Sequence, residues 1–205
     1  MMMNNVHLTP VTYRDQPALA ELFAKARLAE DEALIPGYIT QAMAEGYFDK
    51  AITKFLAGHY EPSCMMKAQE GCQLVGFFMV GRADDYPEIR TNLPAAICGE
   101  LHWLYPDPTK KRQGIGRQLF ARAATELCRL GYNGMVINAL RDKPGTQAFY
   151  TAMGAHVMAE RTEYNTRNGI TFVVPCRLLG MNVEPVMAAS RCHAPIPFIP
   201  SYSVA

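Results

Sequence analysis

The chain has almost no charge imbalance, no long apolar run and no paired-cysteine motif, and each absence removes a class of function. Its 20 Lys and Arg against 19 Asp and Glu leave a net charge of +1. A protein that works by neutralising a phosphate backbone carries a clearer basic excess, so nucleic acid is not expected as a partner. No apolar run approaches the roughly 20 residues that a spanning helix needs, so no membrane partner is expected either. Met1 to His7 shows no basic segment followed by an apolar one, which reads as a chain without a secretory leader and points to the cytoplasm. Cys64, Cys72, Cys98, Cys128, Cys176 and Cys192 contain no CxxC and no Cys/His ligand spacing. No metal centre is therefore expected, and the thiols are read as buried and reduced. Cys192-His193 lies among prolines and is given little weight as a catalytic pair.

What is present suits a globular enzyme. Hydrophobic residues make up 49% of the 205 positions and charged residues 19%, enough apolar surface for one core and too much for disorder. The period of the apolar residues predicts a strand over 6–13, then a helix capped by Asp15 with Leu19, Leu22, Phe23 and Ala26 on one face. A helical region follows Pro36-Gly37; Gly46 is expected to interrupt it before Phe48, Ile52, Phe55 and Leu56 resume the period. Residues 63–68 and 72–80 read as a hairpin turning at Gln69-Glu70-Gly71, and 81–94 as a polar connection. A strand over 96–105, an amphipathic helix over 116–130 closed by Gly131, a buried strand over 135–140 and a short helix over 146–153 come next. Two strands, 156–164 and 170–179, flank Asn168-Gly169, a hairpin-turn dipeptide. The order predicts an α/β fold with a mixed sheet and helices on its faces. Residues 1–180 form the expected domain, and 181–205, with prolines at 185, 195, 197 and 200, an extended tail.

The most informative stretch is Lys110-Lys111-Arg112-Gln113-Gly114-Ile115-Gly116-Arg117, between a strand and a helix. Its glycines allow a tight turn and close backbone approach to a ligand. The helix behind them offers unpaired N–H groups and the positive end of its dipole, an anion site suited to a pyrophosphate. Lys110, Lys111, Arg112 and Arg117 add attraction for a polyanion. A bare GxG also fits a plain strand-to-helix turn. Arg117-Gln118 stands where a P-loop needs Lys-Ser/Thr, and Leu119 where a dinucleotide fingerprint needs its third small residue, so both motifs are excluded.

Three segments resemble the GNAT superfamily of acyl-CoA N-acyltransferases. Lys111-Arg112-Gln113-Gly114-Ile115-Gly116 is similar to its Q/R-x-x-G-x-G/A signature, with Lys in place of the first residue. Glu100-Leu101-His102-Trp103-Leu104-Tyr105-Pro106-Asp107-Pro108 is similar to its fourth strand, and Phe149-Tyr150-Thr151-Ala152-Met153-Gly154-Ala155 to its F-Y-x-x-x-G-F/A segment. The resemblance spans roughly residues 6–180. It implies a GNAT-like fold, a central twisted and mostly antiparallel sheet with helices on both faces. It also implies acetyl-CoA as co-substrate. Lys111, Arg112, Gln113, Gly114, Ile115, Gly116 and Arg117 would hold the pyrophosphate. Leu104, Tyr105, Pro106 and Phe149 would line the path of the pantetheine arm, where strands 96–105 and 135–140 splay apart in the family. Pro106 replaces the usual Val and cannot donate a hydrogen bond, and Lys143 stands where Asn is frequent.

Acyl transfer to an amine needs a proton acceptor, a donor to the developing oxyanion and an acid for the thiolate. The resemblance places Tyr150 beside the sulfur as that acid, and a phenol with pKa near about 10 keeps its proton at neutral pH. A core tyrosine on a helix face is the competing role. Glu100, fourteen positions before Gly114, occupies the place of a catalytic Glu in some members. Strict alternation puts Glu100, His102 and Leu104 on one face of the strand, which makes His102 a second candidate base; ordered water is a third. The oxyanion donor is expected in the backbone at the end of the 96–105 strand. Asp84, Asp85 and Glu88 either attract a cationic amine or form an ordinary acidic loop. The expected activity is acetyl transfer to an amine, a small molecule ahead of a peptide or protein, by direct attack in a ternary complex. The alternatives are a silent acyl-CoA sensor and a phosphate-binding regulatory domain. A monomer or a homodimer fits equally.

Overall fold

In the computed structural model, which describes residues 6–31, 41–59, 61–84, 86–94, 96–167 and 170–183, the strands join a single sheet. They are β1 (Val6–Pro10), β2 (Cys64–Glu70), β3 (Gln73–Arg82), β4 (Cys98–Pro106), β5 (Gly134–Leu140), β6 (His156–Arg167) and β7 (Ile170–Asn182). Their order across the sheet is β1-β2-β3-β4-β5-β7-β6, and every pairing is antiparallel except β4 with β5. Helices α1 (Gln16–Asp31) and α2 (Gln41–Leu56) cover one face. The short α3 (Pro87–Asn92) covers the same face further along, over Val136 and Leu178. The opposite face carries α4 (Ile115–Arg129) and α5 (Pro144–Ala152).

Each face is held by apolar residues at the period of its elements. On α4, Leu119, Phe120, Ala123 and Leu127 are wholly buried against Val75, Phe78, Val80 and Met135. On the other face Phe23 and Phe48 stack into Phe77, Trp103 and Tyr105, with ring centroids between 5.1 and 5.7 Å for the Phe23–Phe48, Phe23–Trp103, Phe23–Tyr105, Phe48–Phe77 and Phe48–Trp103 pairs. Burying each such ring contributes about 1.5–3 kcal/mol, which outweighs local propensity.

That balance explains where the expected boundaries shift. Gly46 does not interrupt α2, which runs unbroken through it. Glycine costs about 1 kcal/mol in a helix, less than the neighbouring Phe48 and Ile52 return by burial. Asp15 does not cap α1 as expected. It sits in a 3-10 turn (Tyr13–Asp15) and reaches back to accept from the Thr12 N–H (2.8 Å) and Oγ1 (2.9 Å), besides pairing with Lys67. The β2–β3 turn falls at Gly71-Cys72, slightly later than expected, with Gly71 at φ +60°. The 81–94 connection contains α3, which Pro87 opens with a preset φ. Of the five thiols among the described residues, Cys176 alone is buried; Cys72 is exposed and Cys64, Cys98 and Cys128 are half-buried, all five free. Strand β7 ends at Asn182 and Val183 is buried, so the packed chain passes the boundary drawn at 180. Asn168-Gly169, Cys192-His193 and the rest of the Pro-rich tail from 184 lie outside the described residues.

Candidate active site

The candidate anion loop is pinned at its entry. Asp107, 4% exposed, accepts from the Thr109 N–H (2.9 Å) and Oγ1 (2.8 Å) and from Lys25 Nζ (2.9 Å). Burial alone would push this carboxyl up; the Thr109 and Lys25 donors hold it below the usual carboxylate range. After it the chain makes a 3-10 turn (Pro108–Lys110), then passes through Arg112 at φ +66° to Gly114 at φ +82°, the N-cap of α4. The first i→i−4 bond of the helix is the Gln118 N–H to the Gly114 carbonyl (3.1 Å). The N–H groups of Ile115, Gly116 and Arg117 precede it and point out of the helix end. A Cβ on Gly114 would meet nothing within 4 Å, whereas one on Gly116 would stand 3.7 Å from Phe149 and 3.9 Å from Pro106. The loop therefore has open space above it and a wall beside it, a shape that fits a pyrophosphate. Lys111, Arg112 and Arg117 are exposed, but Lys110 is tied to Glu70 and so contributes less charge to the loop than expected.

The sheet opens next to this loop. Strands β4 and β5 pair only from Cys98–Gly134 to Glu100–Val136. Beyond that β4 keeps to β3 as far as Pro106, and β5 keeps to β7 as far as Leu140. The divergence makes a cavity of about 1080 Å³ that runs from the loop into the sheet. Every candidate site residue lines it except Gln113, which is exposed on the loop. Ile115 contributes through its main chain, since its side chain is 1% exposed and packs in the core beneath α4.

Strict alternation fails along β4. A bulge sets Val80 opposite Leu101 and Met79 opposite Trp103, so His102 is the extra residue. Such a bulge reverses which side chains face which side. Leu101 and Leu104 share the α4 face, while Trp103 and Tyr105 pack with α1 and α2. Glu100 lies before the bulge on the α3 face, opposite Val136, and is 6% exposed. Glu100, His102 and Leu104 thus do not share a face as expected. The Glu100 carboxylate accepts from the Tyr86 phenol at 3.2 Å to each oxygen and from the Asp84 N–H at 3.4 Å. His102 Nδ1 stands 3.7 Å away. Burial, partly offset by the Asp84 N–H, pushes Glu100 up to about 7. Burial pushes His102 the other way, toward the neutral ring. A Glu100 carboxyl at about 7 exchanges its proton near neutral pH.

Tyr150 comes from α5, whose start Pro144 sets. Its ring is 7% exposed, between Phe149 (5.2 Å between centroids) and Phe120 (5.9 Å), and it lines the cavity. The same residue is therefore both a core tyrosine and a wall of the cavity. Lys143, at the N-cap of α5, also lines it. The acidic connection also contributes contacts of its own. Asp84 presents its N–H to Glu100, Glu88 lies 3.6 Å from Arg161, and Asp85 falls outside the described residues.

Sequence spacing missed several residues that the fold brings to the cavity or its edge: Arg27 from α1, Tyr86 before α3, Asn138 from β5 and Glu163 from β6. Arg27 donates to the Tyr105 hydroxyl (3.3 Å), and Asn138 donates to Glu163. No local motif marks them, because each joins the site through a contact 14 to 78 positions away. Among the described residues no group of three or more His, Cys, Asp or Glu is placed to hold a metal ion, and no helix is long and apolar enough to cross a membrane.

Comparison with known proteins bears on the fold and the family. No curated protein matches the chain in sequence. Solved structures share its fold. The putative acetyltransferase YncA of Salmonella typhimurium, solved with its cofactor acetyl-CoA, superposes with a TM-score of 0.61 at 16% identity, covering 88% of this chain and 95% of that one. The ribosomal-protein-S18-alanine N-acetyltransferase of Escherichia coli gives 0.58 at 14%, covering 87% and 94%. The PaiA N-acetyltransferase of Thermoplasma acidophilum, in complex with coenzyme A, gives 0.58 at 14%, covering 87% and 99%. The profile of the Acetyltransferase (GNAT) family matches residues 26–155, a span that holds β4, the anion loop, α4 and the Phe149-Tyr150 segment. With most of its length inside that match, the chain belongs to the GNAT acetyltransferase family.

Proposed function

We propose that this protein transfers an acetyl group from acetyl-CoA to the amine of a small molecule, by direct attack within a ternary complex. The observation that carries the reading is the β4–β5 divergence, which joins the anion loop, Tyr150 and Glu100 in one cavity. Bound acetyl-CoA supplies the thioester to be attacked and a thiolate leaving group. The N–H groups of Ile115, Gly116 and Arg117, with the Lys111, Arg112, Gln113 and Gly114 stretch, hold its pyrophosphate at the positive end of α4. Leu104, Tyr105, Pro106 and Phe149 enclose its arm. Pro106 has no N–H to give, so hydrogen bonding to the arm falls to neighbouring backbone along the unpaired edge of β4.

Glu100 takes the proton of the amine. Its carboxylate, poised at about 7, is basic enough to accept a proton and is substantially ionised at neutral pH. Tyr150 holds a proton at its hydroxyl for the departing sulfur. At 6% exposure Glu100 lies deep in the cavity, which suits a slender amine better than a residue on a folded protein. The Glu100 carboxylate also favours a cationic amine on approach.

Titration calorimetry with acetyl-CoA, followed by thiol release with diamines, arylalkylamines, amino acids and a lysine peptide, tests the reading. Micromolar binding and release with a small amine are expected. Binding without release from any amine favours a silent acyl-CoA sensor, and absence of binding overturns the loop assignment.

A further inference from the structure

We infer that Tyr86 is a positioning residue for Glu100: clamped between Arg161 and the carboxylate, its phenol fixes both carboxylate oxygens and favours their ionised form. The inference rests on the reading of Glu100 as the amine's proton acceptor, and no motif in the sequence points to Tyr86.

Tyr86 is 8% exposed and its hydroxyl lies 3.2 Å from both Glu100 oxygens, so a single donor spans the carboxylate. The ring is fixed from the other side. The Arg161 guanidinium of β6 lies 4.8 Å from its centroid, and the same guanidinium approaches Glu88 of α3 at 3.6 Å. Pro87 follows at once and presets the backbone where α3 begins. A cation over the face of a phenol strengthens the O–H as a donor. Burial and the nearby Glu100 charge push the Tyr86 phenol well up, so it stays protonated and donating throughout the working range.

The groups facing Glu100 divide by effect. Burial, Asp84 just after β3 and Glu163 from β6 all disfavour its charge. His102 on its own strand is driven neutral by burial and offers little positive charge in return. The Asp84 N–H and the Tyr86 O–H are the two donors that favour the carboxylate. Of these, only the Tyr86 donor can be deleted with side-chain shape and net charge kept.

Tyr86→Phe removes the oxygen and leaves the ring under Arg161. A hydrogen bond to a charged group is worth about one pH unit or more. The acid limb of kcat/KM should therefore move up by about one unit, a loss of about tenfold on that limb at about pH 6 and little change above about pH 9. The same amine, the fastest of the panel, is used for both proteins, so its own titration cancels. Glu163→Gln removes a repelling charge and should move the limb down. In parallel, the Glu100 carboxyl carbon is titrated by ¹³C NMR in the free protein, with its resonance assigned through Glu100→Gln; this arm needs no acceptor.

A carboxyl titration and an acid limb that both move up in Tyr86→Phe uphold the inference. An unmoved carboxyl titration in the folded variant overturns it; an equal loss of rate at every pH would then mark a purely structural tyrosine. A carboxyl titration that moves while the limb stays put upholds the hold of Tyr86 on Glu100 and refutes Glu100 as the base.

Discussion

The two ends of the cavity are built in opposite ways. The anion end is one continuous stretch, Lys111 to Arg117, whose shape follows from two backbone positions at positive φ and the start of α4. The end around Glu100, where we place proton transfer, draws Glu100 from β4, Tyr86 from before α3, Asn138 from β5 and Glu163 and Arg161 from β6. In the proposed reading main-chain groups do the work at the first end, so side-chain identity there is loosely constrained while conformation is tightly constrained. At the second end the electrostatics of single side chains decide, and each depends on distant parts of the chain. Damage to the first end should therefore cost binding, and damage to the second should cost rate and pH dependence.

Gly114→Glu is the most severe way to break that contrast. Its Cβ would stand in open space, so the fold has room for it, but a carboxylate there faces the site of a pyrophosphate at a residue with φ +82°. Affinity for acetyl-CoA should fall by about a thousandfold or more, as calorimetry can read, while the positive φ costs about 1–2 kcal/mol and lowers Tm by only a few degrees. Undiminished binding would refute the loop assignment.

At the other end, Tyr150→Phe keeps the packing against Phe120 and Phe149 and removes only the hydroxyl. Turnover should drop about a hundredfold while the Kd for acetyl-CoA stays within about twofold. Equal losses in kcat and affinity would place Tyr150 with the binding end instead. Glu100→Gln should lower kcat/KM by about 10- to 100-fold above pH 7 and abolish the acid limb near pH 7. A limb that persists in Glu100→Gln would move the base role to water or to His102.

The smallest expected effect is on stability. Burial raises Glu100 from 4.5 to about 7, so the folded state prefers it protonated. Below about pH 4.5 it is protonated folded and unfolded alike, and its contribution to stability is fully kept; as pH rises toward 7 the unfolded chain ionises first and that contribution is lost. Glu100→Gln escapes this loss. It should melt with the parent at pH 4 and on the order of 5–10 °C above it at pH 8. A gap that does not grow with pH would mean that Glu100 ionises normally in the folded protein.

The same contrast accounts for what was legible in the sequence. Helix α4 shows in Leu119, Phe120, Ala123 and Leu127, because one face must meet the core every 3.6 residues. The anion loop is readable because its chemistry is local. The β4 bulge at His102 is not, since the pairing with Met79 and Val80 creates it and β4's own alternation gives no sign of it. Gly46 misled for a related reason: propensity is local, while the burial of Phe48 and Ile52 that overrides it depends on α1 and the sheet. Tyr86 read as part of a polar connection because nothing nearby in sequence reveals a carboxylate fourteen residues on in the same cluster.

By itself the sequence determined the mixed α/β class, the order of most elements, the glycine turn that opens α4 and the family to which its motifs belong. Those features depend on periodicity and on contiguous residues, which the chain carries wherever it goes. Only the tertiary structure decided how far β4 and β5 pair before they part, which face Glu100 takes, and which donors and charges surround it. A strand's register and a buried carboxylate's affinity for a proton are set by contacts across the sheet, and those contacts exist only once distant segments have packed together.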